Sequence, residues 1–111
     1  MTVYKAAMSG IPEILQEEAT TGNGRAIAIP SSFTRHAFYI RGIDTPSAGA
    51  VRIETADSPA DSVWAPMTTN PTTVPDGLEV IEFEGVYGAF RCRVTTTVTS
   101  GSVTVEYLGG H

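Results

Sequence analysis

An alternation of apolar and polar side chains over residues 89–108 constrains the fold of this chain more than any other feature. The alternation holds through residues 90–94 and returns through residues 103–107. Half-buried strands need this period of two, because successive side chains point to opposite faces of a sheet. The segment therefore predicts two strands joined as a hairpin by a tight turn at residues 99–102. Such a hairpin needs a second sheet to cover its apolar face.

The two faces of this hairpin receive different residues. Arg91 and Arg93 fall on the polar face, where Thr104 and Glu106 are their expected cross-strand neighbours. The single cysteine, Cys92, falls on the apolar face and has no partner for an internal disulfide, so we expect a small core residue. Five inward positions are predicted to be buried: Ile53, Phe90, Val94, Val103 and Val105.

The rest of the chain continues this pattern of short strands and turns. With 111 residues, 11 of them Gly and 7 Pro, the sequence has room for one domain with frequent turns. The strands number about eight, with turn signals between them at the spacing of a sandwich. We therefore predict an all-β fold, a single-domain antiparallel β-sandwich that is jelly-roll-like.

The first half of the chain predicts an edge strand at residues 13–19. The Asn-Gly pair at residues 23–24 is a hairpin turn signal, and residues 25–30 read as its second strand, with Ile27 and Ile29 inward. The pair predicts a first hairpin.

Further strands are predicted at residues 36–42, 50–55, 62–67 and 78–84. Pro66 confines its strand to an edge or a strand end, because proline cannot donate to a ladder. The alternation breaks between Val80 and Ile81, which indicates either a β-bulge or a strand that is apolar on parts of both faces. Residues 68–77 are rich in Pro and Thr and predict a long exposed loop.

Residues 1–10 have no clean period and read as an N-terminal arm before a domain at residues 11–111. Val3, Tyr4 and Met8 are apolar or aromatic side chains that would order only against a neighbouring subunit or another protein. They are candidate interface residues, and a simply disordered terminus is the alternative.

Charge and hydropathy exclude some partners. A formal charge of −5 argues against nucleic acid, which needs clustered Lys and Arg. No apolar run reaches the roughly 18 residues of a membrane span, so no membrane partner is expected. Lys5 is the one lysine among seven basic residues, and the other six are arginines. Arginines suit bidentate contacts in protein interfaces, and compositional bias is the alternative explanation of their number.

No motif carries catalytic chemistry. His36 and His111 are far apart, and with one cysteine the chain has no cluster with zinc-ligand spacing, so we expect no metal and no cofactor. Cys92 faces inward and His36 starts a strand, which leaves no nucleophile beside a base. The glutamates at positions 79, 82 and 84 are typical of a protected edge strand. The sequence therefore predicts that this is not an enzyme.

The aromatic residues offer two readings. Trp64 could stack on a sugar, but a lone Trp on a short strand of a small sandwich is more often a core residue, which we expect here. Tyr39 is predicted to face outward beside Arg41, and these two are the interface candidates within the domain, for protein contact as much as for sugar.

Several segments together resemble a known group of proteins. They are residues 49–54, 64–66, 83–85, 90–94 and 101–109. Their pattern resembles that of the small all-β virion proteins of tailed bacteriophages, particularly the head decoration or cement proteins. The pattern consists of a Trp strand, a Gly-ended strand, an Arg-alternating strand and a closing Gly-x-Val-x-Val strand. The resemblance covers roughly residues 11–109.

The resemblance implies a virion protein without enzymatic activity, made in the host cytoplasm and located on the capsid surface. It implies the major capsid protein as partner, a homotrimer as the oligomer, and stabilisation of the capsid lattice as the function. Tail- and fibre-associated accessory proteins share the architecture and are the alternative, as is a carbohydrate-binding β-sandwich module. The expected contact surfaces are the arm and the loops at residues 56–61 and 68–77.

Overall fold

The computed structural model describes residues 12–111, which form nine strands. They are β1 (Glu13–Ala19), β2 (Ile27–Ala28), β3 (Arg35–Ile43), β4 (Ala48–Ala56), β5 (Ala65–Pro66), β6 (Thr72–Thr73), β7 (Leu78–Glu84), β8 (Ala89–Thr99) and β9 (Ser102–Gly110). No helix among the described residues is long and apolar enough to cross a membrane. The predicted arm, with Val3, Tyr4 and Met8, lies outside the described residues.

The strands form two antiparallel sheets packed face to face. The first has the order β1-β9-β3-β7, and the second has the order β2-β8-β4-β5, with β6 paired to β4. Most consecutive strands therefore alternate between the sheets, which is the strand order of a jelly roll. The predicted jelly-roll sandwich is confirmed.

The core lies between the two sheets and is made by the inward positions that alternation predicts. Phe38 of the first sheet meets Phe90 of the second edge to face, with ring centroids 5.0 Å apart. Of the five positions predicted to be buried, Val94 is partly exposed and packs against the core, and the other four are buried. Cys92 is a buried core residue, as predicted.

The predicted hairpin of residues 89–108 is wrong, because β8 and β9 belong to different sheets. β8 pairs with β4, and β9 pairs with β1 and β3. The turn between them crosses from one sheet to the other at the end of the two strands, through Ser100 and Gly101. A side chain at Gly101 would collide with the carbonyl oxygen of Ile43. Alternation identifies the buried face of a strand but not the strand it pairs with.

The predicted neighbours of the arginines change for the same reason. Glu54 of β4 lies opposite Arg91, and Arg52 lies opposite Arg93. Thr104 and Glu106, the expected neighbours, belong to the other sheet.

The predicted first hairpin is also wrong. β1 pairs with β9 and is an edge strand, as predicted, while β2 pairs with β8 in the other sheet. Ile27 and Ile29 are nevertheless buried. The connection turns at Gly22 and Gly24, which have positive φ, and the amide of Arg25 donates to the carbonyl of Leu15.

The later predictions are partly confirmed. β7 pairs with β3 in unbroken register, so there is no bulge, and Ile81 and Phe83 pack inward while Val80 lies on the other face. Pro66 lies in the short edge strand β5, as predicted. The predicted loop at residues 68–77 contains β6 and the buried Val74, so it is partly built into the sandwich.

Candidate protein-interaction surface

Tyr39 and Arg41 lie on the outward side of the first sheet. They alternate along β3 with Phe38 and Ile40, which are fully buried in the core. The sequence therefore predicted their shared face correctly.

The sheet register brings residues from distant segments around this pair. Leu78 of β7 is opposite Arg41, and Glu106 of β9 is opposite Tyr39. A cavity of about 190 Å³ opens among these side chains. Its lining residues, which we call the Tyr39 face, are Pro12, Tyr39, Arg41, Leu78, Glu106 and Leu108.

The Tyr39 face has the composition of a protein interface. Leu78 is 48% exposed, which is unusual for a large apolar side chain on a sheet, and Leu108 forms an apolar floor. Tyrosine and arginine are the residue types enriched where proteins bind proteins, and a charged rim around an apolar centre is the usual arrangement. Arg41 and Glu106 provide that charge here.

The hydroxyl of Tyr39 is buried and has no hydrogen-bond partner within residues 12–111. Burial foremost, and the charge of Glu82 second, raise the pKa of this hydroxyl, so it remains a protonated donor at neutral pH. A buried polar group without a partner costs free energy. A bound partner that accepts this hydrogen bond would remove the cost.

Pro12 is the first described residue, and it lines the cavity. Tyr39 and Arg41 therefore lie beside the first described residue, while the arm at residues 1–10 is outside the described part of the chain.

Trp64 does not lie in the core, contrary to expectation. It is half-buried outside the core cluster, and its indole Nε1 donates to the carbonyl of Asp61 at 2.8 Å. The guanidinium of Arg91 stands 4.5 Å from the centroid of its ring. Arg91 thus covers a face that a sugar would need for stacking.

With Trp64 covered, Tyr39 is the half-buried aromatic residue that the carbohydrate alternative would use in a cavity. That cavity of about 190 Å³ is smaller than the roughly 300–1,000 Å³ typical of small-molecule sites. Its size is enough for one or two anchoring side chains of a protein partner.

His36 and Cys92 both have structural positions. The Nδ1 of His36 is 2.8 Å from the Tyr107 hydroxyl, and its Nε2 is 2.8 Å from the carbonyl oxygen of Gly85. The carbonyl can only accept, so Nε2 donates and Nδ1 accepts from Tyr107. Burial lowers the pKa of His36, which keeps the ring neutral.

Burial, with the nearby Glu54 charge as the smaller cause, raises the pKa of the Cys92 thiol to about 12. A thiol in this state is a poor nucleophile at neutral pH. Among the described residues, no group of three or more His, Cys, Asp or Glu side chains could hold a metal ion.

The predicted contact loop at residues 56–61 lines a second, more open groove of about 440 Å³. Val63 and Val86, exposed by 81% and 64%, stand on its walls beside Asp57 and Asp61. The carboxylate of Asp61 accepts from the amides of Asp57 and Ser58, so its charge is used to fix the loop.

Comparison with known proteins points to the fold. A scan against protein-family models and a search of curated proteins by sequence both found no match. Among solved structures, the crystal structure of the SPBc2 prophage-derived protein YomS superposes with a TM-score of 0.56. The match covers 91% of this chain and 96% of that chain at 18% sequence identity. The two chains therefore share a fold over nearly their full lengths.

Proposed function

We propose that this chain is a non-enzymatic structural protein of a phage virion, which binds and stabilises the capsid lattice as a decoration protein. The Tyr39 face carries the proposal, because it joins an apolar centre, a charged rim and a buried hydroxyl that needs a partner. The resemblance of residues 11–109 to head decoration proteins, the jelly-roll fold common in viral capsid proteins and the prophage origin of YomS support it.

The proposed partner is the major capsid protein at a junction between its subunits. A ligand that binds the assembled lattice more tightly than the free subunits stabilises the lattice by mass action. Decoration should therefore raise the temperature at which heads release DNA. Leu78 and Tyr39 would bury apolar area at the centre of the contact. The arm would bind the neighbouring subunit. The resemblance favours a homotrimer as the oligomer.

Binding to heads should depend only moderately on salt. Arg41 and Glu106 lie at the rim of the Tyr39 face, where charges set the association rate more than the affinity. The apolar centre should hold the complex at high ionic strength.

The experiment mixes the full chain with undecorated heads, and measures bound copies and the temperature of DNA release. Leu78→Asp should abolish decoration, because it places a charge at the apolar centre of the face. Ala28→Asp is the matched control, since Ala28 is exposed on β2 of the other sheet and lies outside the predicted contact surfaces. Binding to tails or to host polysaccharide in place of heads would overturn the proposal.

A further inference from the structure

The outward side of β4 and β8 has more guanidinium groups than carboxylates to pair with them. Arg91 Nε donates to Glu54 Oε1 at 2.7 Å, and Arg93 Nη1 is 3.8 Å from Glu54 Oε2. Glu54 is buried and serves both, so the two arginines share one carboxylate. The Nε of Arg52 is buried and lacks a hydrogen-bond partner in the described part of the chain. We call Arg52, Arg91 and Arg93 the arginine face.

The strand register makes this surplus of positive charge costly. Arg52 and Arg93 are directly opposite each other across β4 and β8, and like charges in that position destabilise a sheet. Arg91 is already engaged by Glu54 and by the ring of Trp64. Arg52 and Arg93 are therefore the two residues that an incoming carboxylate would pair with. It would accept hydrogen bonds from the N–H groups of their guanidinium side chains.

The same chain carries suitable carboxylates at the end of its other sheet. β7 is the last strand in the order of the first sheet, and Glu79, Glu82 and Glu84 are all exposed on it. We call these three residues the β7 edge. Glu82 and Glu84 share a face about 7 Å apart, whereas Arg52 and Arg93 start about 5 Å apart. Flexible arginine side chains can span this difference.

We propose that the arginine face of one copy binds the β7 edge of a second copy. The occupant is assigned by charge complementarity: a chain of formal charge −5 concentrates an excess of arginine on one sheet and glutamates on the edge of the other. On β7, Glu84 lies directly opposite Arg35, so Glu82, which lies opposite Ala37, is the carboxylate assigned to the contact. At the opposite edge, β1, Glu13 is already paired with Arg25 at 2.6 Å.

The two surfaces differ, so the contact is head to tail. Such contacts form closed rings when each copy is rotated relative to the last, and filaments when the rotation does not close. The arginine face points away from the second sheet, and Glu82 and Glu84 alternate with the inward Ile81 and Phe83, so they point away from the first sheet. The two surfaces therefore lie on opposite sides of the sandwich, and successive copies stack as an open chain.

The test measures the mass of the full chain alone by sedimentation equilibrium at about 50 mM and about 500 mM salt. The wild type should form oligomers whose mean mass rises with protein concentration at low salt, with self-association about tenfold weaker or more at high salt. Arg93→Glu and Glu82→Arg should each be monomeric. Arg25→Glu and Glu17→Arg are the matched charge reversals at the β1 side, and both should keep the wild-type mass.

Complementation gives the sharpest result. The double variant Arg93→Glu with Glu82→Arg should regain self-association, because it exchanges the two charges across the contact. The reversed Arg93 can pair with Arg52 opposite it, so the variant should fold, which its melting temperature would verify. A wild type that is monomeric at both salt concentrations, or a double variant that stays monomeric, would overturn the proposal.

A further measurement separates this inference from capsid binding. Self-association is measured without heads, so its loss would remove the proposed oligomer but would leave capsid binding by the monomer to be tested, and failed decoration would leave self-association unaffected. Stabilisation of a monomeric wild type by inorganic phosphate, lost in Arg93→Glu, would identify a free oxyanion as the occupant and contradict the second copy.

Discussion

The outward sides of the two sheets carry different features that cost folding free energy. Within residues 12–111, the Tyr39 face leaves apolar area exposed and one hydroxyl without a partner, whereas the arginine face has like charges opposed across two central strands. A partner that buries apolar surface would stabilise the Tyr39 face, and a partner that adds negative charge would stabilise the arginine face. One small sandwich thus carries two surfaces with different physical requirements, and mutation and salt should separate them.

The largest effect is expected from a variant of the core, because the core supports both faces. Phe90 is fully buried and contacts the rings of His36, Phe38, Tyr87 and Tyr107. Phe90→Ala should lower the free energy of unfolding by about 3–5 kcal/mol, measured by urea denaturation. Val86→Ala at an exposed site is the control, and equal stability of the two variants would contradict the core described here.

Glu54 tests the arginine face. Glu54→Gln leaves its arginines without their shared carboxylate and should lower the free energy of unfolding by about 2–3 kcal/mol. The deficit should shrink in phosphate buffer if an oxyanion can replace the carboxylate. A variant as stable as the wild type in low-salt buffer would show that the pairing contributes nothing.

Tyr39 tests the other face, with an effect of opposite sign. Tyr39→Phe deletes the buried hydroxyl that has no partner in residues 12–111, so the isolated protein should gain about 1–2 kcal/mol in free energy of unfolding. Tyr87→Phe is a matched control, since the Tyr87 hydroxyl donates to the Glu84 carbonyl. Loss of stability in Tyr39→Phe would mean that the hydroxyl is satisfied in solution.

The smallest effect is expected at the β1 edge, outside both faces. Arg25 and Glu13 form an ion pair at 2.6 Å, but both side chains are about half exposed. Arg25→Ala should change the free energy of unfolding by less than about 0.5 kcal/mol. Comparison with Glu54→Gln at low and high salt then measures how much burial strengthens an ion pair, and a larger loss in Arg25→Ala would reverse that ranking.

The sequence predicts the faces of strands far better than their partners. Alternation placed Tyr39 and Arg41 together and pointed Arg91 and Arg93 outward, because side-chain direction depends only on local period. It could not place Leu78 beside Arg41, since that contact joins strands far apart in the chain. Such pairings also bury the hydroxyl of Tyr39 and place Arg52 opposite Arg93. No pattern in the neighbouring sequence indicates either feature.

The Trp64 prediction failed for a different reason. A frequency argument assigned Trp64 to the core, but the core is filled by phenylalanine, tyrosine and aliphatic side chains of the long strands. The indole instead stacks with Arg91, a residue 27 positions later in the sequence. Recognising that contact requires the pairing of β4 with β8, which brings Arg91 beside the segment that follows β4.

The strand order also determines when the chain can fold during its synthesis. β8 and β9 are interior strands of the two sheets, yet they are the last to leave the ribosome. Until they emerge, β1 and β2 have no hydrogen-bonding partners among the described strands. Such distant pairings close long loops and are slow to form. Most of the sandwich must therefore assemble after β8 and β9 have emerged, and a chain that stops before residue 89 would expose two incomplete sheets to aggregation.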